Sequence, residues 1–193
     1  MTDKKRDLEK TRQKLIEAAS LLMNGCNEPD EVTSRAIAKE SGVNVAMINY
    51  CFGSREGLLF EVFRKMLEDA LTRFPELSHT VTSSLDPKEC VTELHYLMMK
   101  LMIANYTYSK AITMFILLNR NIDFGMESLP YIKAYFSDKK TDEQCRLIAF
   151  ELSSIHEISV LRYAELKEEF GIDLTDDNTL KEFVLENVER FLD

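Results

Sequence analysis

The stretch Thr33–Phe52, TSRAIAKESGVNVAMINYCF, decides how the chain is read. Thr33 has the side chain of a helix N-cap, because its hydroxyl oxygen can accept a first-turn amide. Ile37 and Ala38 follow at the spacing of an inward face. Ser41-Gly42 breaks the pattern, and Gly takes the positive φ that ends a short helix. Asn44 restarts it as a second cap, and the next helix runs to about Tyr50 before Gly53-Ser54 closes it. Ile37, Ala38, Val43, Ile48 and Phe52 are the predicted buried positions. Ala38 is small where two helices would cross closely. Two short helices joined by a Gly turn have the form of a helix-turn-helix, whose second helix lies in the DNA major groove. Taken alone, the stretch also fits an ordinary helix pair in a bundle.

Working outward, periodicity predicts helices almost everywhere. A first helix covers about Leu8–Met23, with Leu15, Ala19, Leu22 and Met23 on one face and Gly25 as a left-handed cap. A loop follows over Asn24–Glu31. Ser54 caps a fourth helix with the stripe Leu59, Val62, Phe63, Met66 and Ala70, ending before Pro75. Residues 75–85 form a Ser/Thr-rich connector. Asp86-Pro87-Lys88-Glu89 combines a cap, Pro in the first turn and a returning Glu, so it opens a helix to about Tyr106. Further helices are expected over about Ser109–Asn121 and Leu129–Phe136, the latter interruptible at Pro130. Thr141-Asp142-Glu143-Gln144 is a second capping box, opening a helix to about Phe170. A final helix spans about Asn178–Leu192, with Leu180, Phe183, Val184, Val188 and Phe191 as its stripe.

Composition agrees. The 193 residues include only 6 Gly and 4 Pro, too few for a many-turned β fold. No run of about 18 apolar residues is present, so no transmembrane helix is expected. Met1–Lys10 is charged and lacks the apolar core of a secretory signal, which points to a cytoplasmic protein. Cys26, Cys51, Cys90 and Cys145 are scattered and are expected to be free thiols. The net charge of −9 is unevenly spread. Residues 1–66 hold 11 Lys and Arg against 10 Asp and Glu, whereas residues 67–193 hold 13 against 23. The N-terminal part can therefore face phosphate while the acidic remainder is repelled by it.

A wider set of residues carries a family likeness. It comprises Thr11-Arg12 with Ile16, Ala18 and Ala19, then Thr33 and Ile37-Ala38, then Gly42-Val43-Asn44, and finally the string Ile48-Asn49-Tyr50-Cys51-Phe52-Gly53-Ser54-Arg55-Glu56-Gly57-Leu58-Leu59. Over about Thr11–Phe63 the sequence resembles the tetracycline-repressor (TetR) family of transcriptional regulators. The resemblance implies an all-α homodimer. A three-helix DNA-binding module would occupy residues 1–53, and a helical effector-binding and dimerisation domain 54–193, with 54–74 as the connecting helix. It also implies that the helices from 141 and 178 form a four-helix bundle with a partner. Such a protein binds a palindromic double-stranded operator, and a small-molecule effector releases it.

Position and chemistry then assign contacts. Asn44, Val45, Ala46, Asn49 and Tyr50 lie on the exposed side of the second short helix. Asn suits adenine and small apolar groups suit thymine methyls, so with no Lys or Arg in this helix the operator is expected to be A·T-rich. Asn44 has a second reading as N-cap. Thr33, Ser34 and Arg35 begin one helix, and Ser54 and Arg55 another, where amides and the dipole favour phosphate. Arg12 and the Lys4–Arg6 cluster add positive charge. Cys51 stands where the family often has His or Tyr. In the acidic part, Met98, Met102, Tyr106, Phe115, Leu152 and His156 are the expected pocket wall for an apolar or aromatic effector. No metal or cofactor is expected. His79, His95 and His156 have no metal or nucleophile spacing, and no phosphate loop or G-x-S-x-G is present, so an enzyme is disfavoured. A helical small-molecule-binding dimer without DNA binding is the alternative. Crowding of Glu28, Asp30, Glu31 and Glu40 near the helix-turn-helix would favour it.

Overall fold

The computed structural model describes residues 3–26, 28–73, 86–119 and 126–192. Among these, all regular structure is helical. The helices are α1 (Asp3–Gly25), α2 (Ser34–Ser41), α3 (Ala46–Phe52), α4 (Arg55–Arg73), α5 (Pro87–Ala104), α6 (Tyr106–Asn119), α7 (Leu129–Phe136), α8 (Asp142–Leu161), α9 (Tyr163–Phe170) and α10 (Asp177–Leu192). The connector 75–85 lies outside the described residues. No described helix is long and apolar enough to cross a membrane.

The chain divides into two compact units. The first contains Met1–Asp69 together with Thr107–Leu118 of α6. In it α1 packs along α2 and against α3. Its core is Leu15, Ile16, Ala18, Ala19 and Met23 from α1, Ile37 from α2, Ile48 from α3, and Leu58, Leu59, Val62 and Phe63 from α4. Ala38, Val43 and Phe52 are only half-buried. Helix α1 starts five residues ahead of the predicted Leu8, because its charged first turns are good helix formers even where no apolar stripe marks them. Gly25 is helical rather than a left-handed cap. Among the described residues the glycines with positive φ are Gly42, Gly53 and Gly171. The α6 segment is tied to α1 and the turn after it. The Tyr108 hydroxyl donates to the Ser20 carbonyl (3.1 Å), and Lys110 pairs with Glu28 (2.8 Å).

The second unit contains Ala70–Tyr106 and Asn119–Asp193. Here α5 packs on α7, α8 and α10, with α8 also against α7 and α10. Both predicted capping boxes form, at Asp86 with Glu89 and at Thr141 with Gln144. Pro130 falls in the first turn of α7 and causes no break, since its missing N–H would be unpaired there anyway. Two helix interruptions differ from the expectation. The α5–α6 gap is the single residue Asn105, whose side-chain amide donates to the Leu101 carbonyl (2.9 Å). The helix expected to reach Phe170 stops at Leu161 and restarts at Tyr163. Tyr106 secures that break, donating to the Leu161 carbonyl (3.0 Å) and meeting the Tyr163 ring edge-on at 4.9 Å.

A candidate nucleic-acid interface on the N-terminal helices

The exposed face of α3 is built from the caps upward. Thr33 Oγ1 accepts the Ala36 amide (3.1 Å), which sets the start of α2. The Ser34 and Arg35 amides lie ahead of the first intrahelical bond, from Ile37 N to Thr33 O. Gly42 takes a left-handed φ of 65°, and Ser41 Oγ both donates to the Ile37 carbonyl (2.8 Å) and accepts the Val43 amide (3.3 Å). That turn delivers Asn44, whose Oδ1 accepts the Ala46 amide (2.9 Å). Asn44 thus uses its side-chain oxygen in the turn that enters α3, where Val45 rather than Asn44 is the N-cap residue, and its side-chain NH2 keeps its two donors.

Ile48 is fully buried and pins α3 to the core. The opposite side is open: Ala46 and Asn49 are exposed, Val45 is 44% exposed and Tyr50 72%. Positions one turn apart share a helix face, so these four make one continuous surface.

Three contacts fix the end of α3, of which only the one at Gly53 was expected from sequence. The Arg12 guanidinium donates to the Cys51 carbonyl and lies 4.4 Å over the Phe52 ring. A cation at a helix C-terminus also meets the negative end of its dipole. Gly53 has φ 78° and donates to the Asn49 carbonyl (2.9 Å). Gly57 has no side chain because a Cβ there would lie 2.2 Å from the Phe52 carbonyl oxygen. Both Arg12 and Gly57 belong to the set of residues that carries the family likeness, which was the one available signal for them.

The remaining site residues are placed as follows. Ser34 is half-buried and Arg35 exposed at the head of α2. Ser54 Oγ accepts the Gly57 amide (3.0 Å), capping α4. Its hydroxyl hydrogen, like that of Thr33, is not used by the cap and can donate outward. Arg55 is turned into the module. It donates to the Pro29 carbonyl (2.6 Å) and to Glu56 (3.1 Å), with Asp30 at 3.9 Å. Its head holds the Pro29–Glu31 turn against the start of α4. The nearby carboxylates are engaged too, since Glu28 pairs with Lys110 and Glu31 caps the Glu28 amide. Burial pushes the pKa of the Cys51 thiol upward, outweighing the opposing effect of Arg12, which favours the protonated thiol over the thiolate.

The expected effector residues fall elsewhere. Met98, Met102, Tyr106, Leu152 and His156 belong to the second unit, with Met102, Leu152 and His156 buried and Met98 and Tyr106 half-buried. The side chain of Phe115 lies outside the described residues. His156 Nδ1 meets His95 Nδ1 at 2.9 Å, a partner that sequence spacing did not indicate.

Comparison with known proteins points the same way. Residues 15–62 match the family model described as bacterial regulatory proteins, tetR family. The chain is also similar to the HTH-type transcriptional regulator BetI of Agrobacterium fabrum, at 37% identity over 62 residues. That similarity covers 32% of this chain and 30% of the relative, so it spans under a third of the relative's length. The family match covers the caps and turns of α2 and α3 and the core positions from Leu15 to Val62. The N-terminal helix-turn-helix module, residues 15–62, is thus similar to that of the tetR family of bacterial regulatory proteins.

Proposed function

We propose that the chain is a ligand-responsive transcriptional regulator, a repressor that binds a palindromic operator as a homodimer and is released by a small apolar or aromatic effector. The observation that carries this reading is the α3 face of Val45, Ala46, Asn49 and Tyr50, open on a helix whose two ends are both fixed. Thr33, Ser34 and Arg35 at the head of α2 and Ser54 at the head of α4 flank it with outward donors for phosphate. Lacking Lys and Arg, the face suits A·T-rich sequence. The relative's description as a transcriptional regulator supports the same role.

Dimerisation is supported by an apolar stripe along α8. Leu147 (54% exposed), Phe150, Ile155 and Ile158 (50%) recur at helical spacing, with Leu185 exposed on α10. A stripe of that length on an otherwise charged surface calls for cover, and a second copy supplies it. Two recognition helices must then match half-sites about 34–36 Å apart. An effector that prefers one dimer arrangement changes that separation and releases the operator.

Footprinting the full chain on the intergenic DNA upstream of its own gene, at low and high salt, tests the reading. Protection of a palindrome that weakens steeply with salt is the expected result. A folded dimer that protects no segment overturns it.

A further inference from the structure

The second unit holds two histidines in its apolar core. His95 on α5 and His156 on α8 are 61 residues apart in sequence, yet their Nδ1 atoms meet at 2.9 Å. Phe183 of α10 stands 6.3 Å from the His156 ring. Burial lowers both pKa values, that of His95 to about 4, so both rings are neutral near pH 7. A hydrogen bond between two Nδ1 atoms needs one N–H and one bare lone pair. The ring that donates at Nδ1 must then have a bare Nε2, and the ring that accepts must carry its hydrogen on Nε2. The pair therefore presents one acceptor and one donor at its outer edges, whichever ring takes which role. Both Nε2 atoms are buried and have no hydrogen-bond partner among the described residues. Orphaned buried polar atoms are costly and rare, and an apolar pair would avoid the cost.

We propose that the His95–His156 pair anchors an uncharged, largely apolar small molecule through an alcohol or phenol hydroxyl. The proposal deepens the effector reading above and rests on it. A hydroxyl both donates and accepts, so it satisfies either Nε2 regardless of tautomer. A carboxylate or phosphate fits poorly, because the buried residues described include no Lys or Arg to neutralise it. Lys100, five residues beyond His95 on α5, is taken by Asp177 and the Tyr96 hydroxyl. Met99, Met102 and Leu152, buried on the same two helices, suit an apolar body.

The test uses the full-length protein with 15N-labelled histidine and three matched probes: 4-propylphenol, propylbenzene and 4-propylbenzoate. Imidazole 15N resonances report tautomer and hydrogen bonding directly. The phenol is expected to move an Nε2 resonance of His95 or His156 and to bind about tenfold more tightly than propylbenzene, as one added hydrogen bond implies. The benzoate is expected not to bind. A His95→Leu/His156→Leu double variant removes both orphans together, so it is expected to fold and to lose the preference for the phenol. Absence of phenol binding at millimolar concentration, equal binding of phenol and propylbenzene, or a preference that survives in the double variant overturns the proposal. None of these readouts involves DNA. Failure here with an intact footprint removes this proposal alone, whereas failure of both removes the regulator reading as well.

Discussion

Ala in place of Gly normally stabilises a helix by about 1 kcal/mol, through lower backbone entropy in the unfolded chain. Gly57, in the first turn of α4, is expected to show the opposite sign. A Cβ built there lies 2.2 Å from the Phe52 carbonyl oxygen and 3.3 Å from its carbon. Both are backbone atoms, so no side chain can swing aside. Either α4 moves off the end of α3 or the carbonyl rotates, and overpacking of this kind costs about 1–3 kcal/mol. Gly25 is the internal control. It is helical, its φ is not positive, and a Cβ there meets nothing within 4 Å. Gly25→Ala is therefore expected to hold or raise Tm, and Gly57→Ala to lower it by about 2–4 °C for each kcal/mol lost. Thermal unfolding followed by circular dichroism reads both variants. Operator affinity should fall for Gly57→Ala beyond what the lost stability explains, because α3 shifts with the Phe52 carbonyl. A Tm for Gly57→Ala at or above wild type would refute the claim that this contact sets the α3–α4 junction.

Other expectations follow from the same geometry. Arg12→Ala removes the guanidinium from the Cys51 carbonyl and the Phe52 ring, and is expected to cost about 1–2 kcal/mol. It should also weaken operator binding; Arg12→Lys should restore only part, since an ammonium cannot both stack and reach as a planar fork does. Acid should destabilise the second unit through its histidines. Their folded pKa lies below the ordinary 6.5, His95 at about 4, so the unfolded state binds more protons in between. Stability is then complete above about pH 6.5 and falls toward pH 4, by up to about 1.4 kcal/mol per pH unit per histidine. Urea midpoints across this range should flatten in the His95→Leu/His156→Leu variant. Paired carboxylates such as Asp173, held at about 2, keep their stabilising effect through this range and lose it only below about pH 4. Leu147→Glu with Ile158→Glu places charge on the exposed α8 stripe and should yield a folded monomer by sedimentation; a persistent dimer places the interface elsewhere.

The fold was legible where structure is local. Thr33, Asp86 and Thr141 cap their helices as their side chains predict, because each bond closes within three residues. Gly42 and Gly53 take positive φ where the pattern breaks. The open face of α3 was legible too, since burial of Ile37 and Ile48 leaves Val45, Asn49 and Tyr50 outward. Long-range pairings were not. Arg12 looks from sequence like one more surface cation, and only its meeting with Cys51, 39 residues on, makes it a clamp. Arg55 belongs to a helix start that favours phosphate, but the Pro29 carbonyl sits within its reach. Nothing in periodicity marks the meeting of His95 with His156, or the interruption at Arg162 that Tyr106 secures from another helix. Gly25 misled because a glycine near a helix end is equally acceptable inside it when φ stays negative.

The central claim is that the face of α3 reads DNA. Fluorescence anisotropy with a labelled duplex carrying the footprinted palindrome, against a scrambled duplex of equal composition, compares wild type with Asn49→Ala/Tyr50→Ala. Both side chains are exposed and make no contact that the fold needs, so the variant should keep wild-type Tm. The account predicts that wild type prefers the palindrome and that the variant binds both duplexes alike, weakly and with the salt dependence of phosphate contact alone. A variant of unchanged stability that still selects the palindrome would contradict it.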